Sequence, residues 1–191
     1  ADFVRLIKAG ERGDGDANAP RNVINTYYYK PPFRAGREED FLTGALAQQT
    51  GEDSYPGDFV SSPNWPNVAP GVQGIVNCWS PKYAIKDVPR LLAVQPKPAI
   101  LWVRGEADSI VADHSMFDLG TLGEHGYLPG WPGGEVYPPQ AMVAQTRNIL
   151  ETYAAAGGSY AEHVIADAAH SPQIEKAQAF NLLFHAFLRK A

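Results

Sequence analysis

Two short apolar runs constrain this chain more than anything else in it. Ile100-Leu101-Trp102-Val103 and His163-Val164-Ile165-Ala166 are the only strong strand signals among 191 residues. The first is closed by Arg104-Gly105, and its branched and aromatic content predicts a strand buried on both faces. Between the two runs, Gln140–Ala156 places Met142, Val143, Thr146, Ile149, Leu150 and Tyr153 on one face. Tyr137-Pro138-Pro139 opens that helix and Gly157-Gly158 ends it. Strand, helix, strand predicts a parallel pair with a right-handed crossover. After the second run, Glu175–Lys190 sets Phe180, Leu183, Phe184, Phe187 and Leu188 at i, i+3, i+4, i+7 and i+8, which predicts one continuous amphipathic helix. Parallel sheets usually have several strands covered on both faces, so two strands imply that the rest of the sheet lies on polypeptide outside this chain. The opening Ala1-Asp2-Phe3-Val4-Arg5-Leu6-Ile7, already an amphipathic turn with no methionine before it, fits a start internal to something larger.

The first 95 residues differ in character. A short helix leads into the polar, glycine-rich stretch from Gly10 to Pro20, and aromatics then cluster at Tyr27, Tyr28, Tyr29 and Phe33. Glu38–Gln49 carries Phe41, Leu42, Ala45 and Leu46 at helical spacing, and from Thr50 to Gly74 breakers such as Pro56-Gly57 and Pro70-Gly71 predict turns. Nothing before Pro96 reads as a strong strand. The chain has 18 glycines and 16 prolines, while charged residues make up 19% against a typical ~25%. Long ordered loops follow from that.

Charge and cysteine content exclude several classes. Sixteen basic residues against 21 acidic ones, net −5, with no basic cluster, leave no electrostatic footprint for nucleic acid or an anionic membrane surface. Apolar runs fall far short of the ~18 residues that span a bilayer. The single cysteine, Cys78, has no intrachain disulfide partner and no CxxC neighbour, which excludes a disulfide framework and a thiolate zinc site but leaves the compartment open.

Loops leaving parallel strands emerge at the carboxyl edge of the sheet, where ligands bind in open α/β folds. Asp108 follows the first strand and His170 follows the second. Neighbouring strands lie ~4.8 Å apart, so a carboxylate and an imidazole on these loops are within reach of each other. The carboxylate would fix the tautomer and leave the histidine a general base. Taken singly, Asp108 also reads as a helix cap or turn residue and His170 as an ordinary loop histidine; their joint placement favours the pair. Glu106, Asp113 and Asp167 are rival acids, with Asp167 expected still on the second strand. Asp108, Asp113, His114, Asp118 and His125 are potential metal ligands, but no recurring ligand spacing links them, and neither metal nor cofactor is expected. The aromatics Tyr27, Tyr28, Tyr29, Phe33, Trp79 and Phe117 fit either a core or an apolar pocket.

The segment Leu101-Trp102-Val103-Arg104-Gly105-Glu106-Ala107-Asp108-Ser109-Ile110-Val111 resembles the acid turn of the α/β-hydrolase family, and His170-Ser171-Pro172-Gln173-Ile174-Glu175 resembles its histidine loop. The order of acid, histidine and final amphipathic helix matches that family, whose chain order is nucleophile, acid, histidine. The resemblance implies an α/β fold, namely the C-terminal part of an α/β-hydrolase sheet (residues 96–191) preceded by a largely helical, loop-rich cap or lid segment (residues 1–95). It also implies hydrolysis of an ester, amide or related bond in a small-molecule substrate, with Asp108 and His170 as two members of a triad. The sequence departs from the family pattern in three places. No Gly-x-Ser-x-Gly elbow is present, and Ser80 and Ser159 lack its setting; Ala169 stands where the family commonly has glycine; and the 108–140 excursion is long. The nucleophile and oxyanion donors are therefore expected on a missing N-terminal segment, and this chain alone is expected to be inactive. Epoxide hydrolysis or dehalogenation by a carboxylate nucleophile would use the same acid and histidine, and a non-catalytic binding or scaffold domain of the same fold is the alternative from another class.

Overall fold

The structure is a computed structural model and describes residues 2–84 and 87–190. Helix α1 (Asp2–Lys8) buries Leu6 and Ile7. It ends at Gly10, whose φ of 67° is the left-handed conformation glycine adopts without steric cost; Gly10 N–H donates to the Ile7 carbonyl and Glu11 N–H to that of Leu6. Proline opens α2 (Pro20–Val23), which continues as a wider turn over Ile24–Tyr28. Arg21, from α2, bridges Glu38 and Glu39 of α3 (Glu38–Leu46), 2.5 Å from each. Beneath this clamp Tyr29 and Leu42 are fully buried.

Helix α3 stops three residues before the Gln49 predicted from periodicity, because Thr50–Gly51 (β1) pairs in parallel with Tyr55–Pro56 (β2). Phe59–Ser61 (β3) and Val68–Pro70 (β4) then form a small antiparallel hairpin. The segment before Pro96, where nothing reads as a strong strand, thus holds two pairs of two and three residues, too short for an alternating pattern to register. The Asp58 carboxylate ties this region together, accepting from the N–H groups of Gln73 and Val72 and from the Asn77 amide. A turn at Val76–Trp79 and the short helices α4 (Pro81–Ala84) and α5 (Asp87–Ala93) lead to the sheet.

Strand β5 (Ala99–Gly105) pairs in parallel with β6 (Ser159–Ile165), in register from Ala99↔Ser159 to Gly105↔Ile165. Between them lie α6 (Leu119–Glu124), N-capped by Asp118, and the connecting helix α7 (Met142–Ala155). The chain is mixed α/β, and its larger parallel pair is a βαβ unit. Helix α7 ends in the way its glycines predict: Gly157 has φ of 90°, its N–H donates to Ala154 and Gly158 N–H donates to Tyr153. Tyr153, fully buried, lies against Gly158 and donates its hydroxyl to the Pro98 carbonyl at 2.6 Å, pinning α7 to the start of β5. Facing Trp102 in register is Glu162, whose carboxylate is held by Arg147 of α7 and by Arg104 of β5, each 2.8 Å away. Both guanidinium groups also lie over the Trp102 ring, and the three hydrogen bonds from Arg147 and Arg104 pull the Glu162 pKa down to about 2.

Two expectations about these elements are overturned. Within β5 only Gly105 is buried, and within β6 only Ile165; among the described residues no third strand joins the pair, and the β5 apolar run is half-buried rather than enclosed. The final helix is not continuous. It divides into α8 (Pro172–Glu175) and α9 (Ala177–Leu188), interrupted by Lys176 at φ −130° and ψ 48°. Glu175, the last residue of α8, is buried, and its carboxylate accepts from the backbone N–H groups of Lys30 and Ala169. Helix α9 buries no residue fully; Phe184 and Leu188 of its apolar stripe are exposed, as is Leu182 outside that stripe.

Candidate functional site

Backbone hydrogen bonds continue past the ends of β5 and β6 and zip their exit loops together. Glu106 N–H donates to the Ile165 carbonyl at 3.0 Å and Ala107 N–H to the Ala168 carbonyl at 2.8 Å. The next residue on one loop is Asp108; two residues further on the other is His170. Gly105 permits this approach, because a Cβ there would collide with the carbonyl oxygens of Ala168 and Ala169.

His170 Nδ1 lies 3.0 Å from Asp108 Oδ2. The other carboxylate oxygen, Oδ1, accepts from Ile110 N–H at 2.8 Å and Val111 N–H at 3.0 Å, so Asp108 closes its own turn while presenting its second oxygen to the ring. Burial pushes the Asp108 carboxyl up, but the His170 hydrogen bond and the two N–H groups outweigh it, and the net position is below the ordinary carboxylate range. A carboxylate in that state only accepts, so Nδ1 carries the proton and Nε2 of the neutral ring keeps its lone pair. The Asp108 side chain is 9% exposed and that of His170 31%, so the acid is enclosed and the ring remains accessible. Ser115, completely buried, closes the loop beyond Asp108 by donating to the Ser109 and Ile110 carbonyls while accepting from Phe117 N–H.

The first part of the chain supports the histidine. Tyr28 meets the imidazole edge-on at 5.4 Å between ring centres, and its carbonyl accepts from Ser171 N–H at 3.0 Å. Buried Glu175 accepts from Lys30 N–H at 2.6 Å and Ala169 N–H at 2.7 Å, joining the segment after Tyr28 to the residue before His170. The sequence reasoning did not single out Tyr28 or Glu175 as site residues. The tyrosine triplet was a visible signal for the first; nothing marked the second, which reads as one more helical glutamate.

The rival acids lie elsewhere. Asp167 is not on β6: the strand ends at Ile165 and Asp167 sits beyond it at φ 56°, a left-handed position that aspartate tolerates. Its carboxylate is paired with Lys176 and Lys30, and the lysine hydrogen bonds bring its pKa down to about 2. Glu106 accepts from Asp167 N–H, and Asp113 accepts from Ala144 N–H at the start of α7. The other potential metal ligands are similarly dispersed. Asp118 caps α6 through Thr121, His114 faces Glu124 at 3.5 Å and His125 leans on Tyr127. Among the described residues no group of three or more His, Cys, Asp or Glu is placed to hold a metal ion, and no helix is long and apolar enough to cross a membrane. Cys78 is exposed and unpaired with any other cysteine.

Chemically, the pair is an oriented imidazole base. Among the described residues no hydroxyl or thiol is hydrogen-bonded to the His170 ring. No family model matches the chain, and neither a curated protein nor a solved structure matches it.

Proposed function

We propose that this chain is the acid-and-histidine portion of an α/β-hydrolase-type enzyme, with residues 1–95 as its cap and the nucleophile on polypeptide outside these 191 residues. The observation that carries the reading is the 3.0 Å contact from His170 Nδ1 to Asp108 Oδ2, made by loops leaving adjacent parallel strands. In the reaction, His170 Nε2 takes the proton of the nucleophile as its oxygen bonds to the substrate carbonyl carbon, and Asp108 stabilises the imidazolium that forms. The imidazolium then returns the proton to the leaving group. Water, deprotonated by the same nitrogen, then attacks the acyl carbon, and that proton passes to the nucleophile oxygen as its bond to the acyl group breaks. A carboxylate nucleophile opening an epoxide or displacing halide would use His170 only in the second, hydrolytic step.

The test expresses the chain alone and again with its upstream coding sequence, and assays both against short ester and epoxide substrates. The chain alone is expected to show no turnover above background, since a base by itself supplies only ~10² to 10⁴. The longer form is expected to turn over substrate and to lose about 10³-fold or more on His170→Ala. An upstream elbow carrying Gly or Ala in place of a nucleophile would instead favour a binding or scaffold role.

A further inference from the structure

We infer that Glu175 is a positioning residue, which makes the orientation of His170 depend on the strap Tyr28–Lys30 being docked against the histidine loop. The inference deepens the hydrolase reading and rests on it only in calling the histidine a base. Three consecutive residues of the loop meet this clamp. Ala169 N–H donates to Glu175 Oε1 at 2.7 Å, the His170 ring meets the Tyr28 ring edge-on, and Ser171 N–H donates to the Tyr28 carbonyl at 3.0 Å. From the strap, Lys30 N–H donates to Glu175 Oε2 at 2.6 Å, although the two residues are 145 apart in the chain. The two oxygens of one buried carboxylate thus tie the strap to the loop.

Each side of the clamp has an anchor of its own. Tyr29, in the middle of the strap, is fully buried and packs against Phe33. The Ala168–Ala169 backbone lies against Gly105 at the end of β5, so the loop cannot retreat toward the sheet. With Ala169 N–H and Ser171 N–H both held, the backbone is fixed on either side of His170, and the ring keeps only its own two torsions. Asp108 Oδ2 and the Tyr28 ring restrict those. A buried carboxylate is tolerated when hydrogen bonds replace its lost hydration, and here the two donors come from separate segments, so both are present only while strap and loop are docked. The Lys30–Asp167 pair spans the same junction, but both side chains are exposed and solvent screens it. The Glu175 carboxylate is therefore the link that carries the coupling.

The test uses the chain as it is and reads the ratio of Nδ1–H to Nε2–H tautomers of neutral His170 by ¹⁵N NMR. Glu175→Gln keeps the size of the side chain and one acceptor but turns an amide NH₂ toward the second N–H. It is expected to lower the ratio about tenfold, because a loosened ring no longer keeps its proton on the nitrogen facing Asp108. Two controls separate positioning from stability. Tyr153→Phe loses a hydrogen bond at the opposite end of β5, and Lys30→Ala loses the exposed pair with Asp167 while keeping the backbone N–H. Both are expected to leave the ratio at the parent value. Where Glu175→Gln does not fold, Tyr28→Ala decides: Tyr28 is 42% exposed, and loss of its ring is expected to lower the ratio about threefold. A folded Glu175→Gln or Tyr28→Ala with the parent ratio, or an equal fall in either control, would overturn the inference. The hydrolase reading fails separately: if the longer form turns over no ester or epoxide while the tautomer ratios behave as stated, the clamp stands and the reaction does not.

Discussion

Asp108 performs two tasks with two oxygens, and the tasks can be separated by substitution. Oδ1 holds the turn through Ile110 and Val111, and Oδ2 holds the imidazole. Asp108→Asn keeps an acceptor for the turn but removes the charge that fixes the proton on Nδ1. In the parent, ¹⁵N NMR of neutral His170 is expected to show the Nδ1–H tautomer; in Asp108→Asn the Nε2–H form should dominate or mix, with little loss of stability. Asp108→Ala should cost about 1 to 2 kcal/mol in addition, measured by urea unfolding, because two turn N–H groups lose their acceptor. Glu175→Ala is expected to destabilise by about 1 to 3 kcal/mol in the same measurement, leaving Lys30 and Ala169 N–H unpaired. Asp108 and His170 were legible because residues just past the ends of parallel strands share an edge whatever their side chains. Glu175 was not, since hydrophobic periodicity reports the apolar stripe of a helix and is silent about a buried polar residue at the end of a short helix.

At the scale of elements, glycines decide how closely the pieces approach. Gly158 lies under Tyr153, and Gly105 lies under the Ala168–Ala169 backbone. Gly105→Ala is expected to force the two exit loops apart, costing about 1 to 3 kcal/mol and breaking the Asp108–His170 contact, visible as loss of the single Nδ1–H tautomer. Tyr153→Phe removes only the hydroxyl donated to Pro98 and should cost about 1 kcal/mol. The βαβ order, the helix ends at Gly10 and Gly157 and the parallel pairing all follow from patterns that local sequence expresses directly. The extent of strand burial does not. Ile100-Leu101-Trp102-Val103 has the composition of a strand enclosed on both faces, and that composition describes the surroundings the strand is suited to, whereas all four residues are only half-buried here. The two short pairs between Thr50 and Pro70 escaped notice for another reason: two or three residues cannot display a period of two.

Across the whole molecule, acid should act through Glu162, near 2 in the folded state against an ordinary value of 4.5, while the lysine pairs of exposed Asp167 are screened by solvent and add little. The Glu162 contribution is complete above that ordinary value and is lost as pH falls toward about 2, so thermal stability should decline over that interval. Glu162→Gln should start lower and decline less steeply, because the Arg147 and Arg104 hydrogen bonds to a carboxylate are already gone. The exposed apolar residues of α9 should promote self-association, and exchanging Leu182 and Leu188 for lysine should reduce it in size-exclusion chromatography while leaving helical content unchanged. The in-register pairing of β5 with β6 has a wider consequence. A slip of one residue displaces His170 by ~3.3 Å along the strand and turns every β6 side chain to the opposite face. The hydrogen bond to Asp108, 62 residues away in sequence, therefore works as a gauge of assembly. Misregistered molecules lack an oriented base altogether, so any chemistry at this edge starts only in copies that have folded correctly.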